Sequence, residues 1–190
     1  MPGKQIADID YFREMKLTKS QRRIVDTFLK MRRKKALEDI KVVELCEIAD
    51  VNKSTFYSYY HDIYDLSDRL QMEVFKRIIS ELDHPDSIIN EPGRFTVDVL
   101  NYCKPDVGIM RTLFSGSQSY KLPMKMEEAI KERFYQYKPE HKGDMKHAVM
   151  LSYKIYGAFF AFQNNMNFNQ DDVIRYIGEL SSSFALHIEK

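Results

Sequence analysis

Apolar residues recur along this chain at intervals of three and four positions, which is the period of an α-helix. The first such segment begins near Ser20, which is the expected N-cap, and keeps its apolar residues on one stripe. Asn-Gly or Asp-Gly turns between alternating β-branched runs, the signature of hairpins, do not occur. We therefore expect an all-α protein of about nine helices. The predicted segments are 20–33, 42–49, 53–59, 63–82, 94–103, 106–115, 122–137, 144–165 and 170–188.

The second and third segments have the layout of a helix-turn-helix. Asp50 and Val51 form a tight turn between them, and Asn52 is a good N-cap residue for the third helix. A helix, a three-residue break and a short helix are typical of this unit. Its turn needs a positive φ, which Asp50 tolerates better than most residues. We expect an N-terminal helix-turn-helix domain over 1–62 and a C-terminal helical bundle over 63–190.

Charge is balanced over the whole chain but not along it. Residues 1–60 hold 13 Lys and Arg against 9 Asp and Glu, whereas residues 61–190 hold 16 against 19. A basic N-terminal segment is typical of a protein that binds a polyanion. A solvated face that carries this imbalance by chance explains it about equally well, so charge alone does not decide the function.

Composition removes several classes of protein. With 44% hydrophobic residues, 7 Gly and 6 Pro among 190 residues, the chain is not expected to be disordered. Two Cys are too few for a disulfide framework or a thiolate zinc site. The apolar runs are far shorter than the ~20 residues of a membrane span, and the first residues lack the apolar core of a signal peptide. We expect a soluble protein of the cytoplasm.

Motifs for catalysis are missing from the sequence. It contains no Gly-rich phosphate loop, no Gly-x-Ser-x-Gly and no His-Glu-x-x-His. His141 and His147 flank Asp144 and could hold a metal ion, although solvated surface histidines are the stronger interpretation. We therefore expect no enzyme, no cofactor and no metal site.

The stretch from Ile40 to Leu66 carries a more specific signal. Ala49-Asp50-Val51-Asn52 is similar to an Ala-Gly-Val-Ser turn, and Thr55-Phe56-Tyr57 with Tyr60 matches Thr-(Leu/Phe)-Tyr-x-x-Phe. Asp65-Leu66 matches an acidic-Leu pair at the start of a fourth helix. In these motifs the chain resembles the TetR family of transcriptional regulators over about residues 18–68.

Four positions depart from that family pattern. Asp50 replaces the usual Gly, and Cys46 replaces a usual Ala. Lys41 stands where a Thr caps the second helix, and Ile63 stands where the family has a Lys near the DNA backbone. Losing that Lys would remove about one phosphate contact per subunit.

The resemblance implies binding to double-stranded DNA through the helix at 53–59. A helix that enters the major groove needs small or polar residues and long donors at its front, and donors to phosphate at its end. The resemblance makes Tyr57 a phosphate contact. We also expect Phe56 and Tyr60 to pack in the core. For Tyr59, core packing and DNA contact explain the sequence equally well. The candidate DNA-binding residues are Lys53, Ser54, Thr55, Tyr57, Tyr59, Tyr60 and His61.

The family also implies a homodimer through the last two helices, and a repressor released from near-palindromic operator DNA by a small molecule. A pocket for this effector would lie in the C-terminal bundle, although an ordinary aromatic core is the stronger interpretation of the same residues. A helical co-regulator that binds a ligand or a protein, with weak or no DNA readout, is the alternative function. The candidate pocket residues are Tyr102, Cys103, Met110, Phe114, Tyr153 and Tyr156.

Overall fold

The computed structural model describes Phe12, residues 15–82 and residues 87–183. These ranges are helical and contain no β-strand, which confirms the all-α prediction. Nine helices there have seven or more residues, and Ser87–Asn90 adds a single turn. In chain order they are α1 Lys19–Arg32, α2 Val42–Ala49, α3 Lys53–Tyr59, α4 Ile63–Ser80, α5 Ser87–Asn90, α6 Pro92–Cys103, α7 Val107–Leu113, α8 Lys121–Tyr137, α9 Met145–Asn164 and α10 Gln170–Ser183.

The N-cap of helix α1 lies two residues before the one that the sequence predicted. Thr18, not Ser20, is the N-cap: its hydroxyl accepts from the Gln21 backbone N–H at 3.2 Å. The Gln21 side chain accepts in return from the Thr18 N–H at 3.0 Å. This reciprocal capping box satisfies two backbone donors at once, whereas a helix that began at Ser20 would have Arg23 in place of the returning acceptor.

The chain divides into two compact units. The first contains the described residues up to Val74 together with Pro105–Leu122. In it α1 packs against α2, α3 and α7 around a buried core. The apolar stripe of α1 supplies much of that core, as its period predicted. Core residues of the first unit include Ile24, Phe28, Leu29, Leu45, Phe56, Leu66 and Leu70.

Phe75–Lys104 and Pro123 onwards form the second unit, in which α6 lies against α10. Gly93 and Gly178 are the points of closest approach: a Cβ atom on Gly93 would lie 2.5 Å from the Gly178 carbonyl oxygen. Beside them the Thr96 hydroxyl donates to the Pro92 carbonyl oxygen at 2.8 Å and lies 3.1 Å from the Ser181 hydroxyl. The two helices therefore touch almost backbone to backbone. The predicted C-terminal end of α10 at residue 188 lies outside the described residues.

Candidate nucleic-acid interface

The turn between α2 and α3 has the geometry that the sequence predicted. Asp50 has φ 51° and ψ 54° and is the one non-glycine residue with positive φ in the described part of the chain. Its backbone N–H and that of Val51 donate to carbonyl oxygens of the last turn of α2. The turn thus redirects the chain within three residues, so that α2 and α3 form a helix-turn-helix.

Helix α3 is divided into a buried face and an exposed face. Phe56 is fully buried and Tyr60 is 5% exposed, with their ring centroids 5.6 Å apart. Burial raises the pKa of the Tyr60 phenol. The burial of the Tyr60 ring supports the packing role predicted for this residue.

The exposed face of α3 carries polar side chains. Tyr57 is 56% exposed, and its ring leans edge-on against Phe56 at 5.4 Å. Lys53 and Ser54 are exposed at the first turn, Thr55 is half-buried, and His61 is exposed just beyond the helix. Asn52 stands at the N-cap, but its side chain makes no capping hydrogen bond. The front of α3 therefore presents donors outward on a short, rigid helix.

Tyr59 has a partner that the sequence did not indicate. Its phenolic oxygen accepts a hydrogen bond from the Thr18 hydroxyl at 3.1 Å. Thr18 is the N-cap of α1, so this contact ties the end of α3 to the start of α1. Tyr59 is half-buried and helps to position α3.

Carboxylates fix the connection from α3 to α4. Asp62 accepts from the Asp65 backbone N–H at 2.8 Å, and Asp65 accepts from the His61 backbone N–H at 2.9 Å. Arg69 donates to the same Asp65 carboxylate at 2.9 Å. The hydrogen bonds from the Arg69 side chain and then from the His61 backbone lower the pKa of Asp65. The backbone of His61 is therefore held in place relative to α4.

The basic residues around α1 are not equally available to a ligand. Arg23 donates to the Asp50 carbonyl oxygen at 3.0 Å, and a second guanidinium nitrogen lies 3.0 Å from the Asp50 carboxylate. Arg22 donates to the carbonyl oxygens of Phe12 and Met15. Lys16 and Lys19 are exposed. Sequence could not separate these four cations, because three-dimensional neighbours decide which of them is engaged.

The six residues predicted for an effector pocket do not line the small cavity of the second unit. The second unit holds a cavity of about 30 Å³ among α5, α6, α8 and α9, and none of the six predicted residues lines it. Tyr153 is 62% exposed and Tyr102 is 41% exposed, so both side chains face outward. Met110 and Phe114 belong to the first unit. A pocket lined by these six residues therefore stays a prediction.

Lys154 lines that cavity instead, although it was not among the residues predicted from the sequence. The side chain is 8% exposed, and its ammonium nitrogen has no hydrogen-bond partner. Burial lowers the pKa of Lys154. A lysine within an apolar helix stripe would have been the available signal, since Leu151, Ile155 and Phe159 share its surroundings in α9.

His141 and His147 come together without forming a metal site. Their rings stack with centroids 3.9 Å apart, and both lie against Phe134. The His147 Nδ1 lies 3.2 Å from the carboxylate of Asp144, the N-cap of α9. In the ranges that the structure covers, no group of three or more His, Cys, Asp or Glu could hold a metal ion. The two histidines pack on an aromatic ring and are not fully solvated.

An apolar stripe lies largely exposed on α9. Its members follow spacings of four, three and four, which places them on one side of the helix. They are exposed Val149, Tyr153 and Phe160 and half-buried Tyr156. Helix α10 also leaves Tyr176 and Leu180 exposed, at 59% and 43%. Exposed aromatic and aliphatic side chains of this kind often mediate association.

No family model, curated protein or solved structure matches this chain. No helix within the described ranges combines the length and the apolar character needed to cross a bilayer.

Proposed function

We propose that this protein is a cytoplasmic transcriptional regulator that binds double-stranded DNA through α3. The observation that carries the proposal is the helix-turn-helix itself. Asp50 supplies a left-handed turn, Phe56 and Tyr60 anchor the buried face of α3, and Lys53 and Tyr57 extend from its exposed face. A rigid helix with outward donors is what reading a major groove requires. The TetR-like motifs between Ile40 and Leu66 support the same function.

Assembly as a homodimer is part of the proposal. The exposed stripe on α9, together with Tyr176 and Leu180 on α10, would be covered by the same surface of a second copy. Two recognition helices about 34–36 Å apart would then read successive major grooves of a near-palindromic operator. Tyr153 and Tyr156 thus gain a role in association in place of the predicted pocket.

Regulation would arise when a ligand shifts the populations of two conformations of the protein. The TetR resemblance favours a repressor that a small molecule releases from DNA. Helix α4 runs from the end of the helix-turn-helix into the second unit without a break. A ligand that prefers one of two arrangements of the second unit could alter DNA affinity through this helix.

Fluorescence anisotropy with the duplex upstream of the protein's own coding region tests the proposal, with a scrambled duplex as control. We expect sequence-selective binding that weakens steeply as salt rises, because phosphate contacts release counterions. Lys53→Glu should weaken binding by more than Tyr57→Phe, which removes one hydroxyl donor to phosphate and should cost about tenfold. Lys142→Glu, an exposed charge reversal in the loop before α9, is the charge-matched control.

Unchanged affinity in both α3 variants would show that α3 does not bind DNA. An equal loss of DNA affinity in the Lys142→Glu variant would mean that net charge, and not α3, governs binding. Sedimentation of the same preparations measures the dimer, and Tyr153→Glu should shift it towards monomer.

One observation favours the alternative of a protein-binding co-regulator. Arg22 and Arg23 are both engaged by backbone carbonyl oxygens of the first unit, and buried Ile63 replaces the family's basic residue. These contacts reduce the number of cations available to phosphate. Weak binding to both duplexes that does not depend on salt would support this function.

A further inference from the structure

The small cavity of the second unit combines two features that rarely occur together. Its wall is almost entirely apolar, with side chains such as Phe95, Leu100, Met126 and Ile155 from three helices. Into this wall α9 inserts Lys154, which is more than nine-tenths buried. Every other residue that lines the cavity, within the described ranges, is uncharged.

The Lys154 ammonium nitrogen has no protein acceptor. Thr96, the other polar residue in the wall, directs its hydroxyl to the Pro92 carbonyl oxygen and lies next to Ser181. A buried cation without an anion is costly, because the lost hydration is not replaced. Burial alone accounts for the lowered pKa of this amine. Since unpaired buried lysines destabilise a fold, a residue of this kind indicates a missing counter-ion.

We propose that this cavity binds a small carboxylate with a slender aliphatic chain, whose carboxylate pairs with Lys154 and whose chain lies among the apolar side chains. An anion at this position would supply the charge-assisted hydrogen bonds that the ammonium group lacks. The apolar wall would contribute through burial of the chain.

The size of the cavity sets the form of the ligand. A volume of about 30 Å³ holds roughly one water molecule. The chain must therefore displace side chains as it enters, and Met126 and half-buried Phe159 are the movable members of the wall. A narrow aliphatic chain requires less displacement than a ring. This inference is independent of DNA binding, because the ligand contacts only the second unit.

Calorimetric titration of the full chain, without DNA, tests the proposal with three probes of equal length: hexanoate, hexan-1-ol and hexylammonium. We expect hexanoate to bind about tenfold or more tightly than hexan-1-ol, as a charge-assisted contact adds to the same apolar burial. Hexylammonium should show no binding. If hexan-1-ol binds as tightly as hexanoate, or if hexanoate does not bind, the proposal is overturned.

Variants locate the contact. Lys154→Met keeps the length of the side chain without its charge and should reduce hexanoate affinity to that of hexan-1-ol. We expect it to fold, because replacing a buried charge with an apolar side chain is often neutral or stabilising. Lys146→Met, at an exposed position of the same helix, is the matched control and should leave both affinities unchanged. Hexanoate affinity that survives Lys154→Met would overturn the assignment to this lysine. The three-probe comparison on the unmodified chain decides the proposal even if a variant fails to fold.

Discussion

The helix-turn-helix and the cavity of the second unit are both built by helices, but they are specified in different ways. The candidate DNA surface comes from about 20 consecutive residues, and the φ of Asp50 and the burial of Phe56 fix it locally. The cavity combines residues from α5, α6, α8 and α9, which lie between Ile88 and Phe159 along the chain. A short motif can therefore be read from sequence, whereas a site assembled by tertiary packing is visible only once the helices are in place.

The two regions also differ in the charge of their buried unpartnered groups. In the first unit, buried Gln71 donates to the Leu113 carbonyl oxygen at 3.0 Å, while its amide oxygen and that of Gln118 have no partner. In the second unit, the buried ammonium nitrogen of Lys154 has no hydrogen bond at all. Leaving a cation unpaired in the interior costs much more than leaving a neutral amide oxygen unpaired. This difference in cost directs the search for a ligand to the second unit.

The largest expected effect on stability lies in α3. Phe56→Ala removes a fully buried ring and should lower the free energy of unfolding by about 3–5 kcal/mol. Tyr57→Ala, one residue along on the exposed face, should lower it by only about 1 kcal/mol, mainly through loss of the edge-on ring contact. Urea unfolding followed by circular dichroism measures both. Equal losses would mean that α3 does not have the two distinct faces that the DNA proposal requires.

An intermediate effect is expected where α6 meets α10. Gly93→Ala places a Cβ atom 2.5 Å from the Gly178 carbonyl oxygen, and backbone cannot move aside as a side chain can. We expect a loss of about 1–3 kcal/mol, typical of overpacking. Gly157→Ala in α9 is the control: nothing lies within 4 Å of its added Cβ atom, and it should gain about 0.5–1 kcal/mol from reduced backbone freedom. Thermal denaturation gives the sign of each change. A stabilised Gly93→Ala would contradict the close helix contact.

Much of the fold follows from the sequence because most of its helices are amphipathic and separated by breaks. The predicted segment 122–137 corresponds to Lys121–Tyr137, and 144–165 to Met145–Asn164. The single turn Ser87–Asn90 lies between the predicted segments 63–82 and 94–103, and its four residues are too few to display a helical period. The N-cap of α1 is Thr18 and not Ser20, because the Gln21 side chain accepts in return from the Thr18 backbone N–H. One hydrogen bond decides between two such cap residues, and the apolar period does not reveal it.

The candidate site was predictable in its helix but not in its contacts. Exposure of Tyr57 and burial of Phe56 follow from the helical period. Two long-range contacts cannot be inferred from that period. Arg23 binds Asp50, 27 positions away, and Tyr59 binds Thr18, 41 positions away. Tyr153 and Tyr156 were predicted to line an effector pocket because each combines an apolar ring with a polar hydroxyl group. Residue chemistry says nothing about which side of α9 faces the interior, and the stripe that faces inward includes Leu151 and Ile155 instead.

The smallest effect concerns the turn on which the helix-turn-helix depends. Asp50→Gly removes the steric strain of a left-handed backbone, but it increases the freedom of the unfolded chain and loses the ion pair with Arg23. That pair is worth little, because both side chains are largely exposed. We expect the free energy of unfolding to stay within about 0.5 kcal/mol of the parent value. The Arg23 hydrogen bond to the residue 50 carbonyl oxygen remains available in this variant.

Asp50→Ala loses the same ion pair and keeps the strain, so it should lower the free energy of unfolding by about 1–2 kcal/mol. The difference between the two variants isolates the cost of positive φ, because neither has a carboxylate for Arg23. Urea unfolding of the two variants side by side is sufficient to measure it. If Ala is tolerated as well as Gly, the backbone at residue 50 is free to leave the left-handed region. The orientation of α3, on which the DNA proposal depends, would then need to be fixed by the Tyr59–Thr18 contact and the packing of Phe56 alone.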